Sequence, residues 1–353
     1  MDVYAPLVNS KKPRPTVVLC FGGGFYWGDK NNYPIETICN RLAQMGFVAV
    51  SIDYRTRWKT NQSEIDKGGK TLYRAVLDLN SALSYIENQI NNDNPYSMDG
   101  SKLFIGGNSS GAITCLNYHF VNANSSNIFS SYKDEIGACK KSNIEPIGII
   151  NMCGAMSDTN LITKRTPILS IHGDEDNIVP YQSAVVDFKV PLITTFPKVK
   201  LEGSFLINQR TKNIGASSYL YTYKHQRHSP FDKMLEPKIY QPNMDVAINL
   251  IRNFLYNQMK STESIDMGSN LHVNHTSECS IETAGNEWYF YPVDKTIKKI
   301  YLKVEDATGK KILRRKIRKK LKKFNYQPKL KSGDYTLKVG YGTFQKTVKV
   351  GVN

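Results

Sequence analysis

The sequence predicts an α/β protein, a mostly parallel sheet flanked by helices, followed by a small all-β sandwich. Three observations predict it. Short apolar runs alternate with segments of helical periodicity over residues 1–262, glycine-rich turns follow several of those runs directly, and the charge balance changes abruptly near residue 295.

In chain order, Thr16 to Cys20 reads as a buried strand, because it is made of β-branched, apolar and small residues. Ile35, Ile38, Cys39 and Leu42 recur at three- and four-residue steps and mark a helix. Phe47 to Ile52 is the next strand, and Leu72, Val76, Leu79, Leu83 and Ile86 mark a second helix. Leu103 to Ile105 is a short strand that meets an apolar helical segment beginning at Ala112. Ile147 to Met152, Pro167 to Ile171 and Tyr219 to Tyr223 continue the strands, and Ala247, Leu250, Ile251, Phe254 and Leu255 form a closing amphipathic helix. In such sheets ligands bind beyond the carboxyl ends of the strands, so the turns after the strands are where chemistry is expected.

Gly107-Asn108-Ser109-Ser110-Gly111 fits Gly-x-Ser-x-Gly at a strand-to-helix junction, the pattern of a nucleophile elbow. A serine hydroxyl becomes a useful nucleophile on such a turn, where small neighbours let the backbone bend and the helix N-terminus faces developing charge. Phe21-Gly22-Gly23-Gly24-Phe25 follows the first strand directly and exposes backbone N–H groups. Gly23 and Gly24, with the N–H of Ser110, are the candidate oxyanion donors. The same glycine loop also suits a phosphate site or a plain tight turn. After the strand Pro167 to Ile171 come His172-Gly173-Asp174-Glu175-Asp176, where Asp174 and Asp176 are both placed to serve as an acid. Of the later histidines, His228 in Arg227-His228-Ser229-Pro230-Phe231 lies in a loop after a strand and is favoured as the base over His225.

Together with Asp2-Val3-Tyr4-Ala5-Pro6 and Asp53-Tyr54-Arg55, these motifs make residues 1 to about 260 resemble the α/β-hydrolase superfamily, in particular bacterial secreted-type carboxylesterases and lipase-like esterases. The resemblance implies a Ser109/Asp176/His228 triad, selecting Asp176 over Asp174, and hydrolysis of carboxylic esters through an acyl-enzyme on Ser109 with no cofactor and no metal. Many relatives carry His where Phe21 stands, but the hole is built from main chain and survives that departure. Phe25, Tyr26, Trp27 and Tyr181 are expected to line an aromatic substrate pocket. The match begins inside a motif that usually follows one or two further strands, so the resemblance implies an expected start upstream of Met1. A prolyl-peptidase-like amide hydrolase and a non-catalytic surface- or polysaccharide-binding protein are the competing readings.

No apolar run approaches the roughly 18 residues of a membrane span, and no signal-peptide pattern is read in the chain. Cys20, Cys115 and Cys153 stand in apolar contexts and read as small core residues, and the six cysteines show no disulfide or metal spacing. His272, His275 and Cys279 imitate a zinc half-site without an evident fourth ligand.

The chain carries a net charge of +16, and all of it falls in residues 295–353, where nineteen Lys and Arg face three acids. A catalytic domain at 1–262, a Ser/Asn/Thr/Gly-rich linker at 263–285 and a basic β-sandwich at 286–353 are therefore expected. Lys298 to Val304, Asp334 to Val339 and Phe344 to Val350 are its strand-like runs. Val304-Glu305-Asp306-Ala307-Thr308-Gly309-Lys310 and Leu330-Lys331-Ser332-Gly333-Asp334-Tyr335 resemble the C-terminal sorting domains of the Bacteroidetes type IX secretion system. That resemblance implies a secreted or cell-surface protein. Against it, Leu313, Ile317, Leu321 and Phe324 recur at helical spacing among Lys and Arg, as in a basic amphipathic helix. The expected partners are a small or polymer-linked ester substrate and, through the tail, an anionic surface or the secretion machinery; no specific nucleic acid is expected.

Overall fold

The computed structural model describes residues 1–6, 12–56, 64–121, 132, 136, 140–186, 199–259, 279–284, 287–292, 300–317, 324–326, 333–341 and 344–352. Contacts divide the chain into two units, Met1–Ser264 and Ile265–Asn353.

The first unit is built on a seven-stranded sheet. Its elements run β1 (Asp2–Tyr4), β2 (Arg14–Cys20), α1 (Tyr33–Gln44), β3 (Val48–Ile52), α2 (Glu64–Asn91), β4 (Met98–Asn108), α3 (Ser110–Phe120), β5 (Ile149–Met152), β6 (Ala155–Met156), β7 (Ile168–Gly173), β8 (Ser183–Val186), β9 (Val199–Gly203), α4 (Ser204–Asn213), β10 (Ser218–Tyr223) and α5 (Tyr240–Met259). The sheet order is β1-β3-β2-β4-β5-β7-β10, with β1 antiparallel and every other pairing parallel. Parallel strands covered on both faces should be apolar throughout rather than alternating, and Val17 to Cys20, Val48 to Ile52 and Ile168 to Gly173 are indeed buried at every position. One apolar stripe suffices for α1, whose buried residues are Pro34, Ile35, Ile38, Cys39 and Leu42. All of α3 is buried, because it packs against α2, β4 and β5.

The four strand ends that matter lie along one edge of this sheet. β2 leads into the glycine loop, β4 into Ser109, β7 into the acid loop and β10 into the His228 loop. Several elements of this unit were not read from the sequence, among them β1 and α4. Three more, β6, β8 and β9, form a small antiparallel sheet in the order β6-β9-β8. Together with α4 they insert between β5 and β10. Their strands are two to five residues long, too short to show a clear period.

The second unit consists of β11 (Cys279–Ala284), β12 (Glu287–Pro292), β13 (Ile300–Asp306), β14 (Lys311–Ile317), β15 (Phe324–Tyr326), β16 (Gly333–Tyr341) and β17 (Phe344–Val352). They make two antiparallel sheets, β11-β12-β15 and β14-β13-β16-β17. Two expectations are corrected here. Cys279–Ala284, placed in the linker for its Ser and Thr content, is a strand paired with the aromatic run of β12, while residues 263–278 lie outside the described residues. The basic amphipathic helix through Leu313 and Ile317 is instead strand β14, since Ile317 pairs with Ile300 and Leu313 with Val304; Leu321 lies outside the described residues. A four-residue step such as Leu313 to Ile317 fits a strand as well as a helix, because even steps share a face in a strand, and cross-strand pairing decides the outcome. The β13–β14 turn is closed by Asp306, whose Oδ1 accepts from Thr308 N, Thr308 Oγ1 and Lys310 N, with Gly309 at φ 83°.

Candidate active site

Ser109 follows the last residue of β4 and caps α3, with φ 53° and ψ −120°. A β-carbon disfavours this region, so the surroundings must hold it there. Ser109 N–H donates to Met152 O at 2.8 Å and Ser109 O accepts from Ile113 N at 3.0 Å, which pins the residue from both sides. The flanking glycines are required by close approach: a Cβ on Gly111 would collide with the carbonyl oxygens of Cys20 and Phe21, and one on Gly107 would stand 2.7 Å from Cys20 O. The helix therefore starts directly against the end of β2. Its first-turn N–H groups have no intrahelical partner and face the space before Ser109.

That same end of β2 becomes the glycine loop. Gly23 has φ 140° and Gly24 φ 61°, and Gly23 O is taken by the N–H groups of Tyr26 and Trp27 at 3.0 Å each. Among the described residues no acceptor is recorded for the N–H groups of Gly23 and Gly24, whereas a Cβ on Gly23 would collide with Trp27 O. Tyr54 ties this loop to the elbow. Its hydroxyl donates to Phe21 O at 2.8 Å and meets Ser110 Oγ at 3.1 Å, while its ring stacks on Phe21 at 4.2 Å between centroids.

His228 Nε2 lies 2.9 Å from Ser109 Oγ, and its Nδ1 lies 2.6 Å from Asp176 Oδ2. The three side chains form one continuous hydrogen-bonded line, almost fully buried, with Ser109 7% exposed. Asp176 Oδ1 accepts from the N–H groups of Ile178 and Val179 at 2.8 and 2.9 Å, and Oδ2 also accepts from His172 Nε2 at 2.9 Å. Burial alone would raise this carboxyl, but the hydrogen bonds from His172 and His228 win and hold it well below the usual carboxylate range. The base loop is anchored on two sides: Ser229 Oγ donates to Asn108 Oδ1 at 2.8 Å, and Asn243 Nδ2 on α5 donates to Pro230 O at 2.9 Å and Gln226 Oε1 at 2.7 Å.

The alternatives fall elsewhere. His225 is exposed and pairs with Glu175 Oε1 at 3.0 Å. Asp174 accepts from His225 N at 2.6 Å and faces Lys224 at 3.2 Å, so it closes the turn rather than facing His228. Of the four aromatics, Phe25 packs edge-on against Tyr54, Tyr26 against Trp27, and Trp27 is 60% exposed. The Tyr181 ring packs on His172 and Phe205, and its hydroxyl meets Thr222 Oγ1 at 2.7 Å.

Among the described residues, the side chains close enough together to share an ion are Cys153, Asp176 and His228, whose ligand atoms lie within 4.8 Å of one another. They are already engaged: His228 Nδ1 holds Asp176, and burial pushes the Cys153 thiol up, which keeps it protonated. Cys20 and Cys115 are also buried free thiols. His272 and His275 lie outside the described residues.

The chain is similar to solved structures of Thermogutta terrifontis esterase 2. Its paraoxon-phosphorylated form is 18% identical over 72% of this chain and 87% of that chain, with a TM-score of 0.50, and its cyclosarin-phosphonylated form is 16% identical over the same shares, also at 0.50. The chain has the α/β-hydrolase fold. Residues 1–155 match the BD-FAE family model, a stretch that ends before Asp176 and His228 and holds the glycine loop and elbow of this α/β-hydrolase fold. No curated protein matches the sequence.

Proposed function

We propose that the protein is a serine hydrolase that cleaves carboxylic esters through an acyl-enzyme on Ser109. The observation that carries the reading is the hydrogen-bonded line from Ser109 Oγ through His228 to Asp176 Oδ2, ending on a serine held in a disfavoured conformation. A scaffold kept only for binding has no physical need of that strain or of four donors on one buried carboxylate. In this reading His228 Nε2 takes the Ser109 proton as Oγ attacks the ester carbonyl carbon, and Asp176 stabilises the imidazolium that forms. The N–H groups of Gly23, Gly24 and Ser110 receive the developing oxyanion, each lowering the barrier by about 3 kcal/mol. His228 returns the proton to the departing alkoxide, and a water activated by the same nitrogen then releases the acid. The basic second unit serves export or attachment at an anionic surface, a reading that rests on its charge and its sequence resemblance.

The test is Ser109→Ala. It is expected to remove p-nitrophenyl ester turnover by about 10⁴-fold to 10⁶-fold in kcat, with the fold intact by circular dichroism. His228→Ala should fall comparably, and His225→Ala should stay near the parent rate. Paraoxon, which phosphorylates the T. terrifontis esterase, should label Ser109. Parent-level turnover by Ser109→Ala sinks the mechanism.

A further inference from the structure

His172 is wholly buried and touches neither Ser109 nor the glycine loop, yet it shares one carboxylate oxygen with the base. Donor chemistry fixes which of its ring nitrogens donates to that carboxylate. Gly154 N–H donates to Asn151 Oδ1 at 3.1 Å, so the other end of that amide is Nδ2, and it donates to Ser170 Oγ and Ser204 Oγ at 3.0 Å each. Ser204 Oγ, which accepts there, lies within hydrogen-bond distance of His172 Nδ1 at 2.8 Å. His172 Nε2 faces only acceptors, Asp176 Oδ2 at 2.9 Å and Val179 O at 3.1 Å, so the ring proton sits on Nε2. The imidazole is thus fixed as an N–H donor to Asp176 through Nε2.

We propose that His172 is a positioning residue of the triad: as the second N–H donor to Asp176 Oδ2 it aims the carboxylate at His228 and limits how strongly that oxygen draws the His228 Nδ1 proton. The proposal deepens the esterase reading and rests on it. Its physical basis is competition. Oδ2 receives His228 at 2.6 Å and His172 at 2.9 Å, and the Asp176 carboxylate is buried away from bulk water that could serve as the second donor. Removing it leaves more negative charge for His228 alone and frees the carboxylate to rotate about the Oδ1 contacts with Ile178 and Val179. The other groups facing His228 are Ser109, Cys153 and Asp232, and those facing His172 are Ser204, Val179 O and the edge-on ring of Tyr181. None of them lies between the two histidines on Oδ2.

The experiment compares His172→Phe, which keeps a ring but has no donor, with His172→Gln, which carries an N–H at similar reach, in the full chain. For p-nitrophenyl acetate, His172→Phe should lose about 10-fold to 100-fold in kcat with KM within about twofold. Its acidic limb of kcat/KM should move to higher pH by about one unit, because an unshared carboxylate favours the protonated base. His172→Gln should recover most of both. In the ligand-free protein, the downfield proton resonance of the His228–Asp176 hydrogen bond should move further downfield in His172→Phe. Ser204→Ala leaves His172 in place but unpins Nδ1, and should lower kcat by a smaller factor, which covers the case of a misfolded His172→Phe. Parent kcat and limb in His172→Phe, equal damage in His172→Gln, a change confined to KM, or parent kcat in Ser204→Ala would each overturn the proposal. The resonance needs no turnover, so an inactive parent protein would sink the esterase reading while the resonance still decides the role of His172.

Discussion

Tyr54 shows how a single hydroxyl couples the two halves of the site. It donates to Phe21 O at the entrance of the glycine loop and meets Ser110 Oγ at the start of α3, so the candidate oxyanion donors on both segments are referenced to one oxygen. Tyr54→Phe keeps the ring stacking on Phe21 and removes only that reference. The buried carbonyl loses its donor, which costs about 1 to 3 kcal/mol, and the donors relax apart. We expect kcat on p-nitrophenyl acetate to fall about tenfold with little change in KM, alongside a lowered melting temperature; unchanged kcat would show that the loop is held by its glycines alone. Ser109, His228, Gly23 and Gly24 were visible in the sequence because the chemistry dictates residue type at a strand end. Asp176 and Asp174 were not separable from residues alone: both follow β7, and only the fold shows Asp174 turned to Lys224 and His225. The roles of Tyr54, His172, Ser229 and Asn108 were hidden for the same reason. Their partners lie 56, 4, 121 and 121 positions away, and even the near pair Asp176 and His172 is defined by a loop whose path the sequence does not state.

At the scale of elements, α3 carries both the nucleophile and a buried cost. His119, near its C-terminus, contacts Thr166 Oγ1 at 2.6 Å, and its Nδ1 is buried without a partner. A helix C-terminus favours a charged histidine by about 1 kcal/mol. Burial opposes it and wins, with Lys164 adding to the effect, and the imidazole is pushed down to about 4. A depressed histidine contributes stability that is whole above its unfolded value near 6.5 and is lost as pH falls from there toward 4. Between pH 7.5 and 5 this one group should lower unfolding free energy by about 2 kcal/mol. His119→Gln should shrink the measured pH dependence in urea titrations by about that amount, and an undiminished slope would place the proton uptake elsewhere. The long periodic elements α1, α2 and α5 and the apolar strands β2, β3, β5 and β7 were legible, since burial on one stripe or on both faces imposes a pattern. β1, β6, β8, β9 and α4 were not. Short antiparallel strands at a sheet edge or in an insertion are fixed by pairing partners, which local composition does not encode.

The two units divide the physics of the molecule between them. The first holds the sheet, the elbow, both glycine-loop donors, the acid loop and the base loop, together with a continuous buried core from Val17 to Leu255. The second carries most of the charge excess of the chain, concentrated in residues 295–353, where nineteen Lys and Arg face three acids. A domain with its own core should fold and act alone, so truncation after Ser264 should leave hydrolysis of a small soluble ester within about twofold of the parent. The polyanion arm should behave oppositely. Retention on an immobilised anionic polymer should require the second unit and should weaken steeply between about 50 and 200 mM salt, as the Debye length shrinks toward the spacing of the charges. Loss of soluble-ester turnover on truncation would mean that the second unit completes or stabilises the first. Salt-insensitive retention, or retention by the truncated protein, would mean that the basic strands are a solvated surface and that any attachment is made by other chemistry.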